Sequence, residues 1–215
     1  MSKEWKGNSA SFRSMLGINK NGTTSEREAA DYYSTDTTAV EQFVKHITKT
    51  RGLITGSFFN TIWEPACGCG NISKVLQSHG YEVISSDLHD RGFGLSGFDF
   101  LHSVTVPERC NTIITNPPYS LANEFILHAM DVLPIGGRYL ALMNLSYLTG
   151  QKRFKEIYNN GYLYSIHVYP HRINCYKNNE DQGQSSPVNY AWFEYLKRAH
   201  NSNIYFPPAI YWIEK

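Results

Sequence analysis

Asn116-Pro117-Pro118-Tyr119 is the segment of this chain whose residue types and order most directly imply chemistry. Two adjacent prolines fix the backbone and remove two N–H donors. Carbonyl oxygens of the loop can then face a ligand without being claimed by local donors, and the Asn116 side-chain oxygen is a further acceptor. Two such acceptors can hold a planar –NH2 group by both hydrogens. The lone pair of an amide or exocyclic base amine is delocalised, so the group is a weak nucleophile. Accepting both N–H bonds favours a more tetrahedral nitrogen with an available lone pair. Tyr119 can stack on the flat group. Direct in-line transfer of a methyl from a sulfonium then needs mainly orientation and charge placement, with no metal or covalent intermediate. Read structurally, the same residues are a stiff loop after a strand.

A second segment has the character of a nucleotide site. Glu64-Pro65-Ala66-Cys67-Gly68-Cys69-Gly70 is a small-residue loop between the apolar run Thr61-Ile62-Trp63 and a helix that Asn71 can cap. Glycines let a backbone approach a ligand, and a helix start presents free N–H groups. Asp87 stands 17 residues after Gly70, where a carboxylate can accept from ribose hydroxyls. The third fingerprint position is Ser73 rather than Gly or Ala, which departs from a dinucleotide site. S-adenosylmethionine, a dinucleotide or a purely structural turn remain as readings of this loop. Asp99-Phe100 is a third candidate: the acid can accept from an adenine amine and the ring can cover the base. Its plain reading is a surface acid beside a core Phe.

The elements around these loops alternate. Thr37 or Thr38 can cap a helix through Ala39, Val40, Phe43, Val44 and Ile47, ended by Gly52. Strands are expected at 61–63, 81–86, 112–115, 139–145, 163–169 and 189–196. Helices are expected after Asn71, at 120–133 and at 151–159, with a loop at 174–187. This order predicts an α/β fold with a mostly parallel open sheet covered on both faces. Both unusual loops fall at carboxyl ends of strands, where such sheets bind ligands.

Composition limits the remaining choices. The chain has 215 residues, net charge +1, 18% charged and 14% aromatic residues, including 15 Tyr. These values exclude a disordered chain and a strongly basic nucleic-acid coat. The sum hides a distribution: residues 1–60 carry 8 basic and 6 acidic groups, 61–149 carry 4 and 8, and 150–215 carry 8 and 5. An acidic centre suits a cationic ligand, and basic ends suit a polyanion; ordinary scatter is the plainer account. Cys67, Cys69, Cys110 and Cys175 form no Cys-x-x-Cys pair, so no zinc site is expected. The absence of a leader-like apolar segment or a spanning run leads to an expectation of a cytoplasmic protein with reduced thiols.

On these motifs the sequence resembles the amino-methyltransferases that use S-adenosylmethionine. It is most similar to small phage- and prophage-type DNA adenine-N6 methyltransferases, over most of its length. Tyr33-Ser34-Thr35-Asp36 looks like the N-terminal cofactor motif, Glu64 to Asn71 the glycine motif, and Ser86-Asp87-Leu88 with Asp90-Arg91-Gly92 the acidic motif. Asp99-Phe100-Leu101 fits the adenine-contacting motif, Thr115 to Ser120 the catalytic loop, and Tyr190-Ala191-Trp192-Phe193 the late aromatic motif.

The resemblance implies a Rossmann-like class I fold whose C-terminal strand is antiparallel, with S-adenosylmethionine as cofactor and DNA as partner. It places Tyr33, Thr35, Glu64, Ala66 and Gly68 at the cofactor's methionine end and Asp87 at its ribose. Asp99 falls at its adenine amine and Phe100 at the ring, with Gly70 and Leu88 in the same cofactor set. Asn116 and the Pro117 carbonyl, with Pro118, would hold the target amine, and Tyr119 would stack on a flipped base. Trp192 or Phe193 would line the base pocket; in a strand the two face opposite ways, and both equally suit a core.

No separate target-recognition domain is expected in these 215 residues. The expectation is a flexible polar segment at 1–32 and one catalytic domain over 33–215. Readout then falls to short segments or to a second subunit, as in a homodimer. Arg153 and Arg172 are candidate phosphate contacts, with Arg13, Lys20, Arg27, Lys152, Lys155 and Lys177. RNA adenine, cytosine N4 or a protein glutamine amide are alternative targets, and a non-catalytic binding module is an alternative of another class.

Overall fold

Alternation of apolar residues along the strands sends side chains to two faces and calls for helices on both. In the computed structural model the described residues are 33–51, 61–173, 175–177, 188–199 and 207–214. The expected flexible segment 1–32, with Arg13, Lys20 and Arg27, lies outside them. In chain order the elements are β1 (Tyr33–Thr35), α1 (Thr37–Arg51), β2 (Thr61–Glu64), α2 (Asn71–Ser78), β3 (Val83–Ser85) and β4 (Cys110–Thr115). There follow α3 (Ala122–Val132), β5 (Arg138–Asn144), α4 (Gln151–Glu156), β6 (Leu163–Val168), β7 (Cys175–Lys177), β8 (Tyr190–Leu196) and β9 (Ala209–Trp212).

Seven strands form one sheet in the order β3-β2-β4-β5-β8-β6-β9. Strands β3, β2, β4 and β5 run parallel. Strand β8 is antiparallel to both β5 and β6, and β9 is parallel to β6. Strands β1 and β7 pair separately as an antiparallel ribbon. The expected mostly parallel sheet with a late antiparallel strand is therefore present. The last strand, however, is β9, in a region where the sequence pattern predicts no element.

Each face has its own core. Ile62, Ile114, Leu140, Leu142 and Trp192 pack with Val40, Phe43, Val44 and Ile47 of α1 and Ile72, Val75 and Leu76 of α2. Trp63, Ile113, Tyr139, Ala141, Met143 and Phe193 pack with Phe125, Ile126, Ala129 and Met130 of α3. Each large side chain so buried contributes about 1.5–3 kcal/mol before the cost of ordering it.

Two helix starts differ from expectation. The cap of α1 is Asp36, whose Oδ1 accepts from the Thr38 N–H at 2.8 Å; Thr37 and Thr38 already lie inside the helix. Helix α2 starts after Gly70 without a side-chain cap. Asn71 instead donates its Nδ2 to the Thr35 carbonyl at 2.7 Å.

Candidate active site

The carboxyl ends of β2 and β4, the loop after β3 and the ribbon strand β1 surround a cavity of about 240 Å³. Its acidic lining consists of Glu64, Asp87 and Asp99, against Arg91 and His89.

The glycine loop closes onto the acid after β3. Gly68 N–H donates to Asp87 Oδ2 at 2.8 Å, and His89 N–H donates to Oδ1 at 2.8 Å. These bonds aim a largely buried carboxylate into the cavity. Each oxygen keeps a second lone pair for a hydroxyl. Gly68, Ala66 and Leu88 line the same space.

Gly70 makes the turn into the helix. It has φ 82°, and a Cβ there would meet the Phe93 ring at 2.4 Å. The residue is glycine to reach a left-handed conformation and to seat Phe93, and it does not line the cavity.

Glu64 ends β2 with its side chain buried. Its Oε2 accepts from the Ser73 N–H at 2.8 Å and from the Ser73 hydroxyl, which also lies 2.6 Å from Ser85 Oγ. Ser73, the departure from a dinucleotide fingerprint, is thus the anchor of Glu64. Burial dominates the titration of this carboxyl, pushing it up to about 8, with a smaller contribution from Asp87. Burial, then Glu64 and Asp87, push the Cys67 thiol up to about 12. A thiol raised this far stays protonated near neutral pH.

Asp99 caps the turn at 100–102, accepting from Leu101 N–H at 3.0 Å, and pairs with His102 Nδ1 at 2.7 Å. Phe100 is both wall and core: it lines the cavity and packs on Trp63, Phe125 and His128.

The Asn-Pro-Pro-Tyr loop forms the opposite wall. Asn116 Nδ2 donates to Thr35 Oγ1 at 3.2 Å. The expectation of unclaimed carbonyls holds for only part of the loop. Pro118 C=O accepts from Leu121 N–H at 2.9 Å, and Tyr119 C=O accepts from the Tyr147 hydroxyl at 2.5 Å. Among the described residues no donor takes the Pro117 carbonyl. The Tyr119 ring lies 6.1 Å from Tyr190 at 28°. Burial above all, then Cys175 and Tyr190, hold its hydroxyl well above the usual tyrosine range.

The late aromatic motif lies largely in the two cores. Trp192 is fully buried, stacks on Phe43 at 4.3 Å and donates Nε1 to Tyr169 Oη at 2.8 Å. Phe193 is fully buried in the opposite core. Neither lines the cavity, and Tyr190 is the member that stands beside Tyr119.

Neither candidate arginine lines the cavity. Arg153 is committed to the protein: Nε donates to Tyr147 O and Thr149 O at 3.2 and 3.0 Å, and the guanidinium lies 4.6 Å from the Tyr147 ring centroid. Arg172 is exposed, between β6 and β7, and does not line the cavity. Tyr33 heads β1 opposite Lys177; its side chain is outside the described part. Sequence reasoning singles out neither Tyr147 nor Tyr190 as a site residue. Only the placement of Tyr190 in the aromatic motif could signal one of them.

No protein-family model matches the chain, and no curated protein matches its sequence. Solved structures do. A Listeria monocytogenes protein assigned as a class I S-adenosylmethionine-dependent methyltransferase matches with TM-score 0.60 and 15% identity, over 100% of this chain and 76% of that one. The methyltransferase subunit of a type I restriction-modification system from Streptococcus thermophilus matches with TM-score 0.55 and 12% identity, over 80% of this chain and 47% of that one. The type IIG restriction endonuclease BpuSI matches with TM-score 0.51 and 15% identity, over 79% of this chain and 26% of that one. At such identities the likeness is one of fold. This chain has the Rossmann-like fold of the class I methyltransferases.

Proposed function

We propose that this protein is an S-adenosylmethionine-dependent methyltransferase acting on the exocyclic N6 amine of adenine in DNA. The observation that carries the reading is one cavity holding both the Gly68–Asp87 pair and the Asn116-Pro117-Pro118-Tyr119 loop. Three lining carboxylates suit a cationic ligand. Asp87 would take the ribose, Asp99 the adenine amine and Glu64 the charged methionine end. Bound there, the cofactor supplies an electrophilic methyl on a sulfonium.

Asn116 Oδ1 and the Pro117 carbonyl accept the two N–H bonds of the target amine, and Tyr119 supports the flipped base. With both N–H bonds accepted in this way, the nitrogen lone pair is left available for the methyl that the cofactor would supply. The methylated nitrogen then releases one proton to water. Restriction-modification proteins among the structural neighbours support DNA as the polymer. One catalytic domain over 33–215, with base readout from short segments, belongs to the same proposal.

Nucleoside mass spectrometry of DNA and RNA from cells expressing the protein tests this. N6-methyladenine in DNA is expected, and absent in cells expressing Asn116→Ala. A mark confined to RNA, to cytosine or to a protein glutamine overturns the substrate assignment.

A further inference from the structure

Thr35 occupies a position that membership of a cofactor pocket does not explain. It is buried at the end of β1, 81 residues from Asn116 in sequence. Its hydroxyl oxygen accepts from Asn116 Nδ2 at 3.2 Å. Its own carbonyl accepts from Asn71 Nδ2 at 2.7 Å, and Asn71 is the first residue of the helix after the glycine loop. Pairing of Thr35 with Cys175 holds the same residue from the ribbon side. Three separate segments therefore fix where this hydroxyl sits.

An Asn side chain has one accepting end and one donating end. Only the oxygen end can receive N–H bonds from a target amine; the nitrogen end would meet that amine donor to donor. The contact with Thr35 turns the nitrogen end towards β1 and the oxygen the other way.

We infer that Thr35 is the positioning residue that holds the Asn116 amide in its amine-accepting orientation. Through Asn71 it also ties the glycine loop to the catalytic loop. The inference rests on the reading of Asn116 as the acceptor of the target amine.

Thr35→Val keeps the shape and the backbone carbonyl but removes the hydroxyl; Thr35→Ser keeps the hydroxyl. Thr35→Val should lower single-turnover methyl transfer to DNA by about 10- to 100-fold, the range expected for a displaced reacting group. Thr35 also lines the cavity, so cofactor affinity by calorimetry should fall, but by a clearly smaller factor than the rate, because the bond from Asn71 is to the main chain and is kept. Thr35→Ser should restore transfer. A Thr35→Val rate close to wild type, a fall in cofactor affinity matching the fall in rate, or failure of Ser to rescue would overturn the inference.

A second readout does not depend on the substrate. In unliganded protein the Asn116 side-chain NH2 resonances, assigned by their loss in Asn116→Asp, should exchange faster with solvent in Thr35→Val and at the wild-type rate in Thr35→Ser. Equal exchange in Thr35→Val and wild type overturns the positioning role. If wild-type protein methylates no DNA, the functional reading falls and this exchange measurement alone decides the matter for Thr35.

Discussion

The parallel and antiparallel halves of the sheet both bury carboxylates, in different company. In the parallel half Glu64 and Asp87 face a cavity, held by backbone N–H groups and serines. In the antiparallel half Glu194 is enclosed by partners. It forms an ion pair with Arg138, accepts from Ser165 Oγ at 2.5 Å and lies 3.4 Å from His167 Nε2. His167 in turn contacts His46 at 3.0 Å and stacks on Tyr211. The difference is in what remains to be satisfied. A charged group ringed by partners contributes to the fold, and one aimed at open space leaves capacity for a ligand.

That contrast can be broken most forcefully at Glu194. Glu194→Ala leaves Arg138 without its carboxylate and the Ser165 hydroxyl without its acceptor, and should cost about 3–5 kcal/mol in chemical denaturation. An unchanged denaturation midpoint would show the antiparallel cluster to be dispensable. Next comes Asn116→Ala, which should lower methyl transfer about 10²–10³-fold, as loss of one preorganised polar contact does, with cofactor affinity retained in calorimetry. Full activity in that variant removes the catalytic loop from the mechanism. Asp87→Ala should weaken cofactor binding by about 1.5–3 kcal/mol, the value of hydrogen bonds to a charged group. Unaltered affinity would place the ribose elsewhere.

Glu64 gives a subtler test. Its carboxyl titrates near 8 in the folded chain, against 4.5 for an ordinary glutamate in water. Between those values the folded state holds a proton that the unfolded state has lost, so this group makes stability fall as pH rises. Glu64→Gln should remove that slope, seen by denaturation at pH 5 and pH 8. A cationic ligand favours the ionised form, so its binding to wild type below pH 8 should release a proton, detectable as a buffer-dependent calorimetric enthalpy and absent in the variant. The smallest effect is expected at Lys49–Glu214, a 3.2 Å ion pair with both side chains largely in water. Lys49→Ala should change stability by less than about 1 kcal/mol.

Much of the parallel half is readable from sequence because its signals are local. The run at 61–64 stops at a proline and a small-residue loop, and the run at 110–115 stops at two prolines. Both loops then have to meet at one sheet edge. The remaining strands depend on partners far away in sequence. Strand β1 is three residues, Tyr-Ser-Thr, and is a strand because β7 pairs with it. Strand β9 follows two prolines and is exposed along its length, so no alternation marks it. Alternation in β8 correctly sends Trp192 and Phe193 to opposite faces but does not say how far each lies from the active edge. Register does: Tyr190 pairs with Asn144 at the carboxyl end of β5, while Trp192 and Phe193 pair with Leu142 and Ala141, deeper in the sheet. The bond from Asn116 to Thr35 spans 81 residues and has no local signature at all.

Trp63 packs edge-on against Phe98 and Phe100, at 5.6 and 5.2 Å, and both rings line the cavity. Its indole N–H is held by Ser86 Oγ at 2.9 Å. The chain's other described tryptophans are distant in kind: Trp192 belongs to the opposite core and Trp212 is largely in solvent. The protein thus contains its own optical probe. With Trp5, Trp192 and Trp212 replaced by Phe, the remaining emission, from Trp63 behind the cavity wall, should change colour and intensity as ligand enters, which gives a direct titration without label or radioactivity.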